Sequence, residues 1–401
     1  MSSNGYTNGH STRKINFGAG PAQLPVEVLE TIQNEFLDFN GSGSNVMELS
    51  HRSSAFAKII QEAERDIREI LTIPDSYAVL FLQGGATAQF SAVALNFLNL
   101  KPSKTADYLV TGYWSEKAAK EAEKFGKINW VVPKSSKYQG NCIQTKPKYR
   151  LINALNEIGV PAEDTWKLSE EPSYFYYCAN ETIDGVEMEN IPTVVPKDVP
   201  IVCDMSSNFL TRPFDVTKYA VIFASAQKNF GASGLVLVIL RKDLVENNTN
   251  KSIPIILDYK VQIANESMYN TPPTFSIYVA NKMFAWTKAQ GGLKALNQQS
   301  ASKSSLVYET IDESNGFYVN SVEKNYRSRV NIPLRIVTNG TTNETLEALF
   351  LAEVVKSNMF ELKGHRAVGG IRISLYNGIT VKETEKLVNF MRTFQAKNNS
   401  V

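Results

Sequence analysis

The stretch Val221-Ile222-Phe223-Ala224-Ser225-Ala226-Gln227-Lys228-Asn229-Phe230-Gly231-Ala232-Ser233-Gly234-Leu235-Val236-Leu237-Val238-Ile239-Leu240 sets the fold class. Two continuous apolar, β-rich runs flank a lysine and a glycine-rich turn. Continuous rather than alternating apolarity suits strands buried on both faces, as in a parallel sheet covered by helices. The same texture recurs in Tyr77–Leu82, Tyr108–Thr111, Trp130–Val132, Tyr174–Cys178 and Ile201–Cys203. Helical segments alternate with these runs. In Ser54–Leu71 the residues Phe56, Ile59, Ile60, Ala63, Ile67, Ile70 and Leu71 recur at helical spacing. A second helical stretch follows Gln83-Gly84-Gly85 as far as Leu98, and a third spans Ser115–Phe125.

After about Pro272 the texture changes. Ser276–Gln290 reads as a long helix, and Ile332–Val337 and Ile371–Tyr376 as strands. Thr341-x-x-Glu344 and Thr380-x-x-Glu383 read as capping boxes opening the helices that follow. The expected architecture is α/β. A large domain over residues 15–275 has a mainly parallel sheet covered by helices, and a smaller α/β domain covers residues 276–401. Residues 15–40 are a candidate to pack with the smaller domain, and Met1–Lys14, rich in Ser, Asn and Gly, read as a disordered tail.

Composition narrows the function. The chain has 401 residues, with 42 Lys+Arg against 40 Asp+Glu and a net charge of +2, so it lacks the basic excess of a nucleic-acid binder. No apolar run approaches the ~20 residues that span a bilayer. Cys142, Cys178 and Cys203 form no CxxC, which argues against a disulfide framework or zinc ribbon and for a reducing compartment. The three histidines, His10, His51 and His365, include no HExxH, so no metal site is expected.

The candidate chemistry begins at Lys228. A lysine at a strand end, lodged in a cleft, can have its pKa lowered and form a Schiff base; on position alone, the solvated residue at the lip of a loop is the favoured reading. Asp204 shifts that weighing, because Pro200-Ile201-Val202-Cys203-Asp204 places a carboxylate at the end of the preceding strand, where α/β ligand sites form. Pyridoxal 5'-phosphate (PLP) needs a lysine for its aldehyde and an acid facing its pyridine nitrogen. Gln83-Gly84-Gly85-Ala86-Thr87-Ala88-Gln89 opens a helix after a strand, suiting a phosphate cup or simply a tight turn. Trp114, in Thr111-Gly112-Tyr113-Trp114, offers a ring platform or plain core. Asn180-Glu181-Thr182-Ile183-Asp184-Gly185 offers short polar groups near a ring oxygen, or shapes a turn. Two of the three histidines directly precede an arginine, His51-Arg52 and His365-Arg366, and Arg372 follows across Gly369-Gly370. Arginine forks bind carboxylate and phosphate, so this set suits a small substrate bearing both.

Taken in order along the chain, these segments resemble the phosphoserine aminotransferase family, class V, fold-type I PLP enzymes. The resemblance runs from about Ile15 to the last helix. It rests on Asn16-Phe17-Gly18-Ala19-Gly20-Pro21-Ala22, Ser50-His51-Arg52, Gln83-Gly84-Gly85, Gly112-Tyr113-Trp114, Asn180 to Gly185, Asp204-Met205-Ser206-Ser207, Ala226-Gln227-Lys228-Asn229, Tyr269-Asn270-Thr271-Pro272-Pro273-Thr274 and His365-Arg366 through Arg372. It implies that Lys228 forms the Schiff base with PLP, that Asp204 pairs with the pyridine nitrogen and that Trp114 stacks on the ring. It also implies that Thr182 bonds near the ring hydroxyl and that Ala86, Thr87 and Gln227 lie at the cofactor phosphate. Asn270 and Thr271 would reach that phosphate from the neighbouring subunit of a homodimer. His51, Arg52, His365, Arg366 and Arg372 would hold the substrate phosphate and carboxylate.

The implied reaction moves an amino group between L-glutamate and 3-phosphohydroxypyruvate, giving 2-oxoglutarate and 3-phosphoserine, by a ping-pong course in the cytoplasm. Two departures stand out. Thr87 occupies a position where some bacterial members carry a substrate-binding arginine, and Ala86 stands where others have glycine. Rival readings are a class V enzyme for small uncharged side chains, which would not need so many His and Arg positions, and a non-catalytic binder of phosphorylated metabolites, which would not need the Lys228–Asp204 pairing. A cysteine desulfurase would need a late nucleophilic cysteine, and none follows Cys203.

Overall fold

A computed structural model describes residues 13–132, 158–246 and 250–398. Cys142 and most of the N-terminal tail lie outside them. The central element is a seven-stranded sheet in the spatial order Tyr77–Gln83, Leu235–Arg241, Val221–Ser225, Ile201–Asp204, Phe175–Cys178, Thr105–Leu109, Lys127–Trp130. Strand Leu235–Arg241 runs antiparallel to both neighbours, and the other adjacent pairs are parallel. The sheet is therefore mixed, and the apolar run at 235–240 did not betray its direction. A strand buried on both faces looks alike in sequence whichever way it runs.

Period-two alternation splits the sheet side chains between two cores. Leu235, Leu237 and Ile239 join Phe81, Phe175, Tyr177 and Ile222 on one face, with Phe56, Ile59, Ala63 and Ile67 of helix Ser54–Leu71. Val236, Val238 and Leu240 join Leu80, Tyr108, Tyr176 and Phe223 on the other, beneath helices Gly85–Phe97 and Tyr113–Ala122. Burying each Val or Leu contributes about 1.5–3 kcal/mol, so these strands hold together by apolar contact on both sides. Helix Ser54–Leu71 starts where the Ser53 side chain accepts from Phe56 N (3.2 Å) and ends at left-handed Thr72. Its apolar stripe packs against helix Thr274–Ala289, whose Ile277, Val279, Ala280, Met283 and Phe284 belong to the same core. The change of core partner therefore falls beyond Ala289.

Helix Gly292–Asp312 was not legible in the sequence, because its buried positions include Ser300, Lys303, Ser304 and Thr310 and so break the apolar period. Strand Asn331–Thr338 pairs antiparallel with Ile371–Ser374, Tyr318–Val319 and Thr341–Thr342. This small sheet and helices Glu344–Lys356 and Val381–Asn398 close over a third core of Ile332, Leu334, Ile336, Phe350, Ile373, Leu387 and Phe394. Ile15 and Phe17 join that core, and Ile15–Asn16 pairs with Met359–Phe360, whereas Val28, Ile32 and Phe39 pack with the first sheet core. The Thr380 capping box is present: Thr380 N donates to Glu383 Oε2 (2.8 Å) and Glu383 N to Thr380 Oγ1 (3.2 Å). The Thr341 box is not. Thr341 and Thr342 form a strand against Thr338 and Val337, and Asn343 caps the helix by accepting from Leu346 N (3.0 Å).

Among the described residues no helix is long and apolar enough to cross a membrane.

Candidate active site

Five strands end at one edge of the sheet, and the turns that leave them enclose a cavity of ≈ 350 Å³. That volume lies within the range of small-molecule sites, roughly 300–1,000 Å³. Gly84 to Thr87 follow the first strand, Trp114 the second, Cys178 to Thr182 the third, Asp204 to Ser207 the fourth, and Ser225 to Lys228 the fifth. Ser233 and Gly234 complete the lining because the antiparallel strand begins at this same edge.

Lys228 sits in the one-turn helix Ala226–Asn229, and its Nζ donates to Thr182 Oγ1 at 2.9 Å. Burial lowers the Lys228 pKa, opposed chiefly by the Asp204 carboxylate. Asp204 is 3% exposed and accepts from Ser206 N at 2.8 Å. Burial raises its pKa, while Lys228 and the Ser206 bonds draw it down. A lysine and an acid are thus held in one desolvated space, each biasing the other toward charge. Cys178 also lines the cavity, but burial, with Glu181 and Asp204 adding to it, pushes its thiol well above the ordinary range, so it is no thiolate nucleophile.

The turn Glu181–Asp184 holds the opposite wall. Glu181 Oε2 accepts from Trp114 N, Glu181 Oε1 from Ser115 N and Asp184 Oδ2 from Tyr113 N, each at 2.9 Å. Trp114 faces the cavity, and its Nε1 is buried without a hydrogen-bond partner. Lys228 Nζ stands 5.9 Å from the Trp114 ring centroid.

At the phosphate-cup candidate, Gly84 and Gly85 take φ of 91° and 62°, conformations that favour glycine. They turn the chain straight into helix Gly85–Phe97, whose first turn brings Ala86 and Thr87 to the cavity beside Gln227. Ala86 N donates to Ser225 Oγ (2.9 Å), so its N–H is already engaged within the chain. Asn270 and Thr271 are not among the lining residues; Asn270 lies in a separate narrow groove with Gln83, Ser267 and Pro272.

The His/Arg set is only partly gathered. His365 is 5.5 Å from the Tyr113 ring, between centroids. Burial lowers its pKa, and the charges of Arg372, Arg366 and Lys117 lower it further. Arg372 is half-buried and near enough to depress the Lys228 pKa. Arg366 is exposed. His51 and Arg52 lie on the turn before helix Ser54–Leu71 and do not line the cavity. Two ties fix this region to the sheet edge. Asn180 Nδ2 donates to Asn331 Oδ1 (2.9 Å), and Asn377 N donates to Asn229 Oδ1 (3.1 Å), next to Lys228.

Sequence reasoning missed Lys117, whose Nζ lies 5.3 Å and 5.5 Å from the Tyr113 and Trp114 ring centroids. Its signal was its place one helical turn after Trp114. It also missed Ser225 and Ser233, each beside a strand end. Among the described residues no three His, Cys, Asp or Glu side chains gather as a metal site.

The Aminotransferase class-V family profile matches residues 15–387. A phosphoserine aminotransferase from Drosophila melanogaster is 48% identical over 386 residues, covering 96% of this chain and all of that one. The chain belongs to the phosphoserine aminotransferases of class V. Solved structures agree. The phosphoserine aminotransferase from Bacillus circulans subsp. alkalophilus superposes with a TM-score of 0.86 at 38% identity, covering 96% of this chain and 99% of that one. A PLP-bound phosphoserine aminotransferase from Trichomonas vaginalis gives 0.83 at 40% identity, covering 95% and 100%. The fold is the fold-type I arrangement of these phosphoserine aminotransferases. The cavity suits PLP on its own chemistry: an amine, a buried acid, a helix N-terminus and an indole with an unpartnered buried N–H all face one space.

Proposed function

We propose that the chain transfers an amino group between L-glutamate and 3-phosphohydroxypyruvate, giving 2-oxoglutarate and 3-phosphoserine, with PLP held in the cavity. The observation that carries this reading is the Lys228 amine held by Thr182 in the same buried space as Asp204. PLP supplies the carbon that accepts the amino group and a ring that draws electrons from the substrate α-carbon.

The chain's residues do the rest. Lys228 Nζ would hold PLP, and as a free amine would take the α-proton of the amino acid and later return it; burial lowers its pKa and so favours the neutral amine that a base needs. Asp204, fixed by Ser206 N, would hold a proton at the ring nitrogen. Trp114 would cover one ring face and Thr182 reach the ring oxygen. Thr87 and Gln227 would bind the phosphate, joined by Ala86 once its N–H turns from Ser225 Oγ, with Asn270 and Thr271 contributed by a second copy in a homodimer. His51, Arg52, His365, Arg366 and Arg372 would bind the substrate anions. The same cations would serve both the glutamate side-chain carboxylate and the phosphate, and Lys117, whose charge reaches His365, would add to them. The buried free thiols of Cys178 and Cys203 support a reducing, cytoplasmic setting. Lys228→Ala should abolish transamination of 3-phosphoserine; substantial turnover by that variant without added amine would sink the assignment.

A further inference from the structure

Helix Tyr113–Ala122 is capped from outside its own segment. A helix leaves its first N–H groups without intrahelical partners, and the common remedy is a Ser, Thr, Asp or Asn side chain just before it. Here that residue is Gly112, which has extended backbone and no side chain to offer. Glu181 and Asp184 satisfy Tyr113, Trp114 and Ser115 instead. A Cβ at Gly112 would stand 2.5 Å from Asp184 Oδ2 and 2.6 Å from Glu181 Cγ, so the glycine makes room for both carboxylates. Glu181 is 0% and Asp184 2% exposed. Two buried carboxylates one turn apart are a costly way to start a helix unless its placement matters.

The placement does matter, because this same turn carries Thr182. Through Thr182 it holds Lys228 Nζ, through Glu181 it holds the backbone N–H of Trp114, and through Asp184 that of the preceding Tyr113. One four-residue segment thereby sets the distance between the indole and the amine, 5.9 Å from ring centroid to Nζ. We propose that Glu181 and Asp184 are positioning residues for Trp114, and that the affinity of the cavity for PLP depends on Glu181 through the indole rather than through any contact of its own. This rests on the reading of the cavity as the PLP site.

The test is a double-mutant cycle on the PLP dissociation constant of the full chain, read by absorbance as loaded protein is diluted. Glu181→Gln sets an amide NH₂ against a backbone N–H and loses one charge-assisted bond, so the constant should rise about tenfold. Trp114→Ala should also raise it, and the double variant should bind no more weakly than Trp114→Ala alone. Should Glu181→Gln fail to fold, Glu181→Asp, which keeps the charge but shortens its reach to Trp114 N and Ser115 N, carries the same cycle. Wild-type affinity in the glutamine variant would overturn the proposal, as would an undiminished Glu181 effect in the Trp114→Ala background. A wild-type chain that does not bind PLP would overturn the cofactor reading itself, and the proposal with it.

Discussion

Two arginines in the small sheet should respond oppositely to removal. Arg335 and Arg372 lie on antiparallel strands, where Arg372 pairs with Pro333. Arg335 is committed within the chain: its Nε meets Glu347 Oε1 at 2.7 Å and its Nη2 meets Oε2 at 3.1 Å, with Glu347 only 5% exposed. Arg372 is half-buried and, among the described residues, forms no ion pair within 4 Å, feeling Glu361 only at longer range, while its own charge is felt at Lys228 and His365. A hydrogen bond to a charged group contributes about 1.5–3 kcal/mol. Arg372→Ala should therefore lower kcat/KM for 3-phosphoserine by roughly 10- to 150-fold with little loss of stability. Arg335→Ala should strand a buried carboxylate and cost about 3–5 kcal/mol of folding free energy, while the folded fraction keeps kcat/KM within about threefold. Steady-state kinetics and urea denaturation on both variants give the four numbers. If Arg372→Ala holds kcat/KM within about twofold, or both variants lose stability alike, the assignment of Arg372 to substrate is refuted.

Other consequences follow from the same geometry. Gly112→Ala should destabilise the protein by about 1–3 kcal/mol, because its Cβ would overlap Asp184 and Glu181; an unchanged thermal midpoint would contradict the packing there. Asp204 raises the Lys228 pKa against burial, so Asp204→Asn should move the pH midpoint for capture of PLP by Lys228 downward, and an upward move would contradict that electrostatic reading. Burial, then Asp184, raises Glu181 from 4.5 to about 7. A carboxyl raised on folding gives stability that is full below its unfolded pKa and lost as pH climbs through the folded one, so unfolding free energy should fall between about pH 4.5 and pH 7 by a component absent from Glu181→Gln. An equal pH slope in both proteins would count against it.

The sheet was legible because its strands are apolar on both faces, and helix Ser54–Leu71 because one face alone is apolar. Lys228, Asp204, Trp114 and Thr182 were legible as polar or aromatic residues just past such strands, where a buried edge leaves few alternatives. Other features needed three dimensions. Helix Gly292–Asp312 hides behind a polar buried face, in which Lys303 donates to the carbonyls of Leu375, Tyr376 and Ile379. Glu181 and Asp184 looked like turn formers, since nothing in a linear sequence says that a carboxylate near 181 caps a helix starting at 113. The Thr341 box failed because a hairpin claimed Thr341 and Thr342 and left capping to Asn343.

The most direct test of the central claim is the visible absorption spectrum of the purified protein during titration with 3-phosphoserine. Bound PLP should give an absorption band that is lost as 3-phosphoserine is added, while alanine at matched concentration leaves it unchanged. A band bleached only by alanine or serine would contradict the substrate assignment, and a protein that shows no band even after PLP is added would contradict the role given to Lys228.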